Sequence, residues 1–168
     1  MDVRLLLCPI LGAALAVATV ADGPGVAARA TTHGMTAQAH ASIETSMSAY
    51  NAALNGGDTA AVLPLYTEGG VFMAPYSQSS VGRDAVKVAY DKVFAELKFN
   101  VKCNIAEIVQ MAPDWAFVRT NSAGTTLHHS TGKTTSEANQ ELFILQKETD
   151  GRWRIARYSF SPTNPPST

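Results

Sequence analysis

Between Thr36 and Asn55 apolar side chains recur every three or four positions, with Ile43, Met47, Tyr50 and Leu54 on one stripe. That spacing predicts an amphipathic helix. Gly56-Gly57 ends it, as glycine past a helix C-terminus usually does. Asp58 is placed to cap a second segment whose inner face is Val62, Leu63 and Tyr66. Pro64 falls inside that segment and keeps it brief or kinked. "VFMAP" then reads as a short strand stopped by Pro75, and "YSQSSVG" as a loop. The clearest helix runs from Arg83 to Leu97, with Val86, Tyr90, Val93, Phe94 and Leu97 on one side.

After Leu97 the period falls to two. Phe99 to Met111, Trp115 to Thr126, Thr134 to Lys147 and Trp153 to Phe160 read as strands, joined by turns at "APD", "LHHSTGK" and "ETDGR". Three helices with one strand among them, then a four-strand meander, is an α+β layout with a sheet folded around a helical layer.

Hairpins fix register, so a shared face can be predicted. A turn centred on Ser130 sets Arg119 opposite Glu141 and Phe117 opposite Phe143. A turn centred on Asp150 sets Glu141 opposite Ser159, Phe143 opposite Arg157 and Leu145 opposite Ile155. A turn at Pro113 sets Glu107 opposite Arg119. Alternation then gathers Trp115, Phe117, Phe143, Leu145, Trp153 and Ile155 as an apolar floor. Above it stand Glu107, Arg119, Asn121, Asn139, Glu141, Arg157 and Ser159. The other face takes Val118, Thr120, Leu142 and Ile144, apolar enough to predict a homodimer through the sheet. Polar groups converging over an apolar floor are how small-molecule pockets are built. The same charges also fit a plain cross-strand ladder, worth about 0.2–1 kcal/mol per pair.

Composition narrows the class. The chain of 168 residues is 46% hydrophobic and 16% charged, which suits one globular domain. Its net charge of -1, with no basic stripe, argues against nucleic acid as a partner. The opening "MDVRLLLCPILGAALAVATVADG" has one Arg, an apolar run and then small residues. It reads as a signal peptide over 1–21, so a secreted or periplasmic protein is expected, and otherwise a cytoplasmic one. The run is short for a stable membrane span, and Pro9 and Gly12 interrupt it. A linker over 22–35, a domain over 36–162 and a tail over 163–168 complete the division. Removal of the leader leaves Cys103 as the single cysteine and no internal disulfide.

"YNAALNGGDTAAVLPLYTEGGVFMAP", "VGRDAVKVAYDKVF" and "ANQELFILQKETDGRWRIARYSF" resemble the SnoaL-like branch of the nuclear transport factor 2-like superfamily. The resemblance covers roughly 39–162. It implies a cone-shaped fold, three N-terminal helices packed on a strongly curved, mostly antiparallel sheet, often dimeric. Tyr50, Tyr66, Phe72 and Tyr76 would then line the cone. The fold hosts cyclases, isomerases, hydrolases, dehydratases and plain binding modules, so it implies no single function. One relative, ketosteroid isomerase, uses a first-helix tyrosine as oxyanion donor, and Tyr50 matches that place. Its base is an aspartate directly before a proline; here that position is Ala74, before Pro75. An alanine cannot move a proton. Its second acid aligns near Glu141.

These residues make Glu141 the central ionisable group, with Arg119 and Tyr50 as its partners in catalysis. Asn139, Asn121, Arg157, Ser159, Tyr66, Phe72, Tyr76, Phe117 and Phe143 form the ligand-binding set. No organic cofactor is implied, because no phosphate loop or dinucleotide fingerprint occurs. No metal is implied either: His128 and His129 are neighbours on a hairpin tip and point to opposite faces. The expected ligand is a small apolar molecule, polyketide-like, and the expected chemistry is cyclisation, isomerisation or hydration by an isomerase-, cyclase- or lyase-like enzyme. A non-catalytic ligand-binding or dimerisation module is the alternative.

Overall fold

The computed structural model describes residues 35–164. The leader over 1–21 and most of the linker and tail lie outside the described residues. Three helices pack on a six-stranded mixed sheet, an α+β architecture. The helices are α1 (Ala37–Gly56), α2 (Thr59–Val62) and α3 (Arg83–Glu96). The strands are β1 (Tyr66–Met73), β2 (Ser80–Val81), β3 (Leu97–Ala112), β4 (Trp115–His128), β5 (Thr134–Lys147) and β6 (Trp153–Pro162). Their spatial order is β2-β1-β6-β5-β4-β3. The third helix follows β1 and β2 in the chain rather than preceding the whole sheet. The meander β3 to β6 is antiparallel throughout, and β1 joins β6 in parallel.

Local chemistry explains the helix ends. Thr36 Oγ1 accepts from the Ala39 amide at 3.1 Å and Asp58 Oδ1 from the Ala61 amide at 3.0 Å, both N-caps. Gly57 closes α1 at φ 64°, a left-handed conformation that glycine adopts without Cβ strain. Pro64 turns the end of α2 into a short 3-10 turn over Leu63–Leu65. Tyr66 therefore starts β1 instead of ending a helix, and β1 begins five residues before the expected "VFMAP". The "YSQSSVG" segment, expected as a loop, contributes the two-residue strand β2.

The helices cover one face of the sheet. Ile43, Met47, Tyr50, Val62, Val86 and Tyr90 interlock with Ala116, Val118, Phe143, Leu145, Trp153, Ile155 and Tyr158, all buried. The edge strand β3 would leave open backbone groups on its outer side. Two asparagines one helical turn apart on α1 meet them. Asn51 Nδ2 and Asn55 Nδ2 donate to the Val101 carbonyl at 3.0 and 2.8 Å. The Val101 amide donates to Asn55 Oδ1 at 2.9 Å, and the Cys103 amide to Asn51 Oδ1 at 3.3 Å. Arg83, at the start of α3, donates to the Tyr66 carbonyl from Nε at 3.2 Å and Nη2 at 2.7 Å. That fixes α3 against β1.

Two of the expected registers shift by one residue. Leu127 pairs with Thr134, so the β4–β5 turn centres between Ser130 and Thr131, not on Ser130. Thr120 then stands opposite Glu141, Arg119 opposite Leu142 and Val118 opposite Phe143. A one-residue slip sends every side chain to the other face. Leu145 does pair with Ile155, but a bulge follows at Ala156. Beyond it Phe143 meets Tyr158 and Glu141 meets Phe160, in place of Arg157 and Ser159. The Glu107–Arg119 pairing stands as expected.

Candidate functional site

A cavity of about 170 Å³ opens between the helices and the core face of the sheet. Tyr50 and Leu54 of α1 and Tyr90 and Val93 of α3 form one wall. Phe72 and Ala74 flank it. Leu97, Phe99 and Val101 of β3, Ser122 of β4, and Tyr158 and Phe160 of β6 close the rest. Glu137, Asn139 and Glu141 stand in a row along β5. Their i, i+2, i+4 spacing puts all three on one side of the strand.

Glu141 is only 4% exposed. Three hydroxyls donate to its carboxylate: Thr120 Oγ1 to Oε2, Ser122 Oγ to Oε1 at 3.2 Å, and the Tyr158 hydroxyl to Oε1 at 3.1 Å. No Lys, Arg or His pairs with it among the described residues. A second chain of hydroxyls lies beside it. Tyr90 shares hydrogen bonds with Tyr50 at 2.8 Å and with Tyr66 at 3.0 Å. Burial, first of all, holds the phenols of Tyr50, Tyr66, Tyr90 and Tyr158 well above their ordinary range, so they remain proton donors. The Cys103 thiol is pushed up to about 12, by burial first and then by the charge and contact of Glu141. Such a thiol is not a nucleophile at neutral pH.

The aromatic rings are ordered among themselves. Phe143 stacks on Tyr158 with centroids 4.1 Å apart, and Phe72 stacks between Tyr90 at 5.0 Å and Tyr158 at 5.5 Å. Glu137, at the cavity rim, accepts from Thr126 Oγ1 at 3.2 Å and from Asn139 Nδ2 at 2.8 Å. Asn139 is 7% exposed, and its Oδ1 has no partner among the described residues.

Of the residues predicted for the site, Tyr50, Phe72, Asn139 and Glu141 come together on the cavity wall. Phe143 and Tyr66 are fully buried; neither reaches the cavity wall, though Tyr66 touches Tyr90 there. The others are elsewhere. Arg119 points away from Glu141 on the opposite face, where its Nε pairs with Glu107 Oε1 at 2.8 Å with both side chains about half exposed. Asn121, Phe117, Arg157 and Ser159 share that outer face, as the two register shifts require. Tyr76 is fully exposed in the turn after β1. Conversely Val118 and Thr120, expected on the outer face, are fully buried in the core.

Ala74, at the position where the resemblance would put a base, does line the cavity and has nothing to transfer a proton. Thr120, Ser122, Glu137, Tyr90, Tyr158 and Phe160 were not singled out from sequence. The alternating hydroxyls Thr120 and Ser122, and the run Glu137-x-Asn139-x-Glu141, are the signals that carry them once the register is right.

Comparison with known proteins bears on the family and the fold. A family model described as a SnoaL-like domain matches residues 47–157. A solved structure described as a ketosteroid isomerase-like protein from Erwinia carotovora atroseptica SCRI1043 is 42% identical, with a TM-score of 0.72, and the match covers 74% of this chain and 96% of that one. A conserved protein from Planctomyces limnophilus DSM 3776 is 21% identical with a TM-score of 0.65, over 73% and 96% of the two chains. A protein with a cystatin-like fold from Caulobacter vibrioides is 18% identical with a TM-score of 0.63, over 76% and 92%. These last two likenesses concern the fold alone. The chain matches none of the curated proteins. No helix among the described residues is long and apolar enough to cross a membrane. With a family model spanning most of the folded domain and a relative of such identity along nearly its whole length, the chain belongs to the SnoaL-like domain family.

Proposed function

We propose that the cavity binds a small, mostly apolar organic molecule and that Glu141 and Tyr50 act on it by acid–base chemistry, as in cyclisation, isomerisation or hydration. The observation that carries this reading is a buried carboxylate on the wall of an aromatic cavity, held by three hydroxyls and, among the described residues, by no cation. A carboxylate so held keeps a fixed geometry and can accept a proton from a bound molecule. Tyr50 is a phenol kept protonated, and a hydrogen bond from it would stabilise negative charge on a substrate oxygen. Two probes test this. β-Naphthol should bind, followed by its fluorescence. Indanone should take up deuterium next to its carbonyl in heavy water, followed by NMR, and lose that uptake in Glu141→Gln. Binding without exchange favours the second reading, a non-catalytic binding module, which Ala74 at the cavity wall supports. No binding of either probe overturns both.

A homodimer through the outer sheet face belongs to the same reading. Leu142 is 43% and Met111 53% exposed there, next to Val109. Light scattering at micromolar concentration should give twice the chain mass, and Leu142→Glu should return it to a monomer.

A further inference from the structure

Hydrogen bonding in the cavity is one-sided. Ser122 and Tyr158 donate to Glu141, and Tyr50 and Tyr90 share a single hydrogen bond. The rest of the polar lining accepts. Asn139 Nδ2 donates to Glu137 Oε1 at 2.8 Å. A carboxylate oxygen can only accept there, which fixes the amide orientation and turns Oδ1 the other way. That Oδ1 is buried and has no partner among the described residues. An orphaned buried acceptor is destabilising unless something donates to it. The charge is one-sided too. Glu137 and Glu141 line the cavity, and none of its lining residues is Lys, Arg or His. The stacked rings of Phe72, Tyr158 and Phe160, with centroids 5.5 to 6.3 Å apart, line the cavity beside them.

From this juxtaposition we propose that the cavity's ligand is an organic ammonium ion: a protonated amine on an aromatic or apolar body. The proposal rests on the reading of the cavity as a small-molecule site and narrows its ligand class. The amine N–H groups would satisfy Asn139 Oδ1 and a carboxylate, both charge-assisted bonds. The positive charge would gain from the ring faces. A carboxylate ligand would face Glu137 and Glu141 with no countercharge and is selected against by the lining itself. A neutral ligand with only acceptors would still fit but bind more weakly, because it leaves Asn139 Oδ1 unpaired.

The test is calorimetric titration with three probes of similar size: phenethylamine, which is cationic at neutral pH, neutral phenethyl alcohol, and anionic hydrocinnamate. Phenethylamine should bind at least about tenfold tighter than the alcohol, and hydrocinnamate most weakly. Glu137→Gln should weaken phenethylamine about tenfold and leave the alcohol within about twofold. Asn139→Leu should weaken phenethylamine and leave hydrocinnamate unchanged, and it carries the test where thermal melts show Glu137→Gln unfolded. Equal or tighter binding of the alcohol or hydrocinnamate overturns the ammonium class while the cavity remains a ligand site. Tight phenethylamine binding that neither variant alters overturns it as well, since the charge would then be met outside the cavity. Failure of all three probes together with β-naphthol removes the small-molecule reading and this proposal with it.

Discussion

The Tyr158 hydroxyl donates to Glu141 Oε1 across 3.1 Å, while the Tyr158 ring lies flat on Phe143 at 4.1 Å. One side chain thus aims the carboxylate and ties it to the core. Replacing Glu141 with Gln puts an amide group among hydroxyls that now donate to it. Tyr158 and Thr120 can rotate to accept, at the expense of their present bonds. Glu141→Gln should fold, lose about 1–3 kcal/mol in a urea melt, and lower indanone exchange by about a hundredfold or more. A loss of stability with exchange and binding untouched would end the case for Glu141 as a site residue.

Tyr90 is the hinge of the second hydroxyl chain, bonded to both Tyr50 and Tyr66. Tyr90→Phe keeps the ring that stacks on Phe72 and strands two buried hydroxyls. Tyr66→Phe strands none, because Tyr90 keeps Tyr50. Urea melts should therefore show Tyr90→Phe costing about 1–3 kcal/mol and Tyr66→Phe visibly less. The reverse order would mean the hydroxyl chain is not what these tyrosines contribute.

The helices were legible because their faces are long and strongly periodic: Ile43, Met47, Tyr50 and Leu54 on α1, and Val86 and Tyr90 on α3, are buried as the spacing predicts. The site was only partly legible, because faces in a sheet depend on register. An even-numbered turn between Leu127 and Thr134 turned Arg119 and Asn121 outward and Thr120 and Ser122 inward. A bulge at Ala156 did the same for Arg157 and Tyr158. Neither leaves a mark in alternation, which reads equally well from either face. Glu141 and Asn139 survived both errors because they lie on β5, the strand that defined the frame.

Asp150 gives a pH prediction. Its carboxyl is lowered from the ordinary 3.8 to about 2, first by hydrogen bonds from the Arg154 side chain and then by the Arg152 backbone amide. Arg154 Nη2 stands 2.6 Å from Asp150 Oδ2, and Glu148 contacts the same guanidinium. A folded-state value below the unfolded one stabilises the protein above about pH 4, and the contribution is lost as pH falls towards about 2. Asp150 is exposed, so the effect should be small and shrink in salt. Thermal midpoints should drop over that window in the parent protein, and less in Asp150→Asn. Parallel curves for the two would show that the β5–β6 turn does not depend on this pair.

Arg119 and Glu107 supply the last prediction. They face each other across β3 and β4 at 2.8 Å, each about half exposed, on the side of the sheet away from the cavity. Exposed pairs of this kind gain little Coulomb energy and lose side-chain freedom. Had Arg119 faced Glu141, its removal would have left a buried charge alone, at a cost of about 3–5 kcal/mol. On the outer face Arg119→Ala should cost less than about 1 kcal/mol in a urea melt. Indanone exchange and β-naphthol binding should not change, because the wall that holds Glu141 is made of Thr120, Ser122 and Tyr158. The double variant Arg119→Ala with Glu107→Ala should be no worse than the sum of the single changes. A loss of several kcal/mol, or of exchange, in Arg119→Ala alone would mean that the outer face is coupled to the cavity through β4.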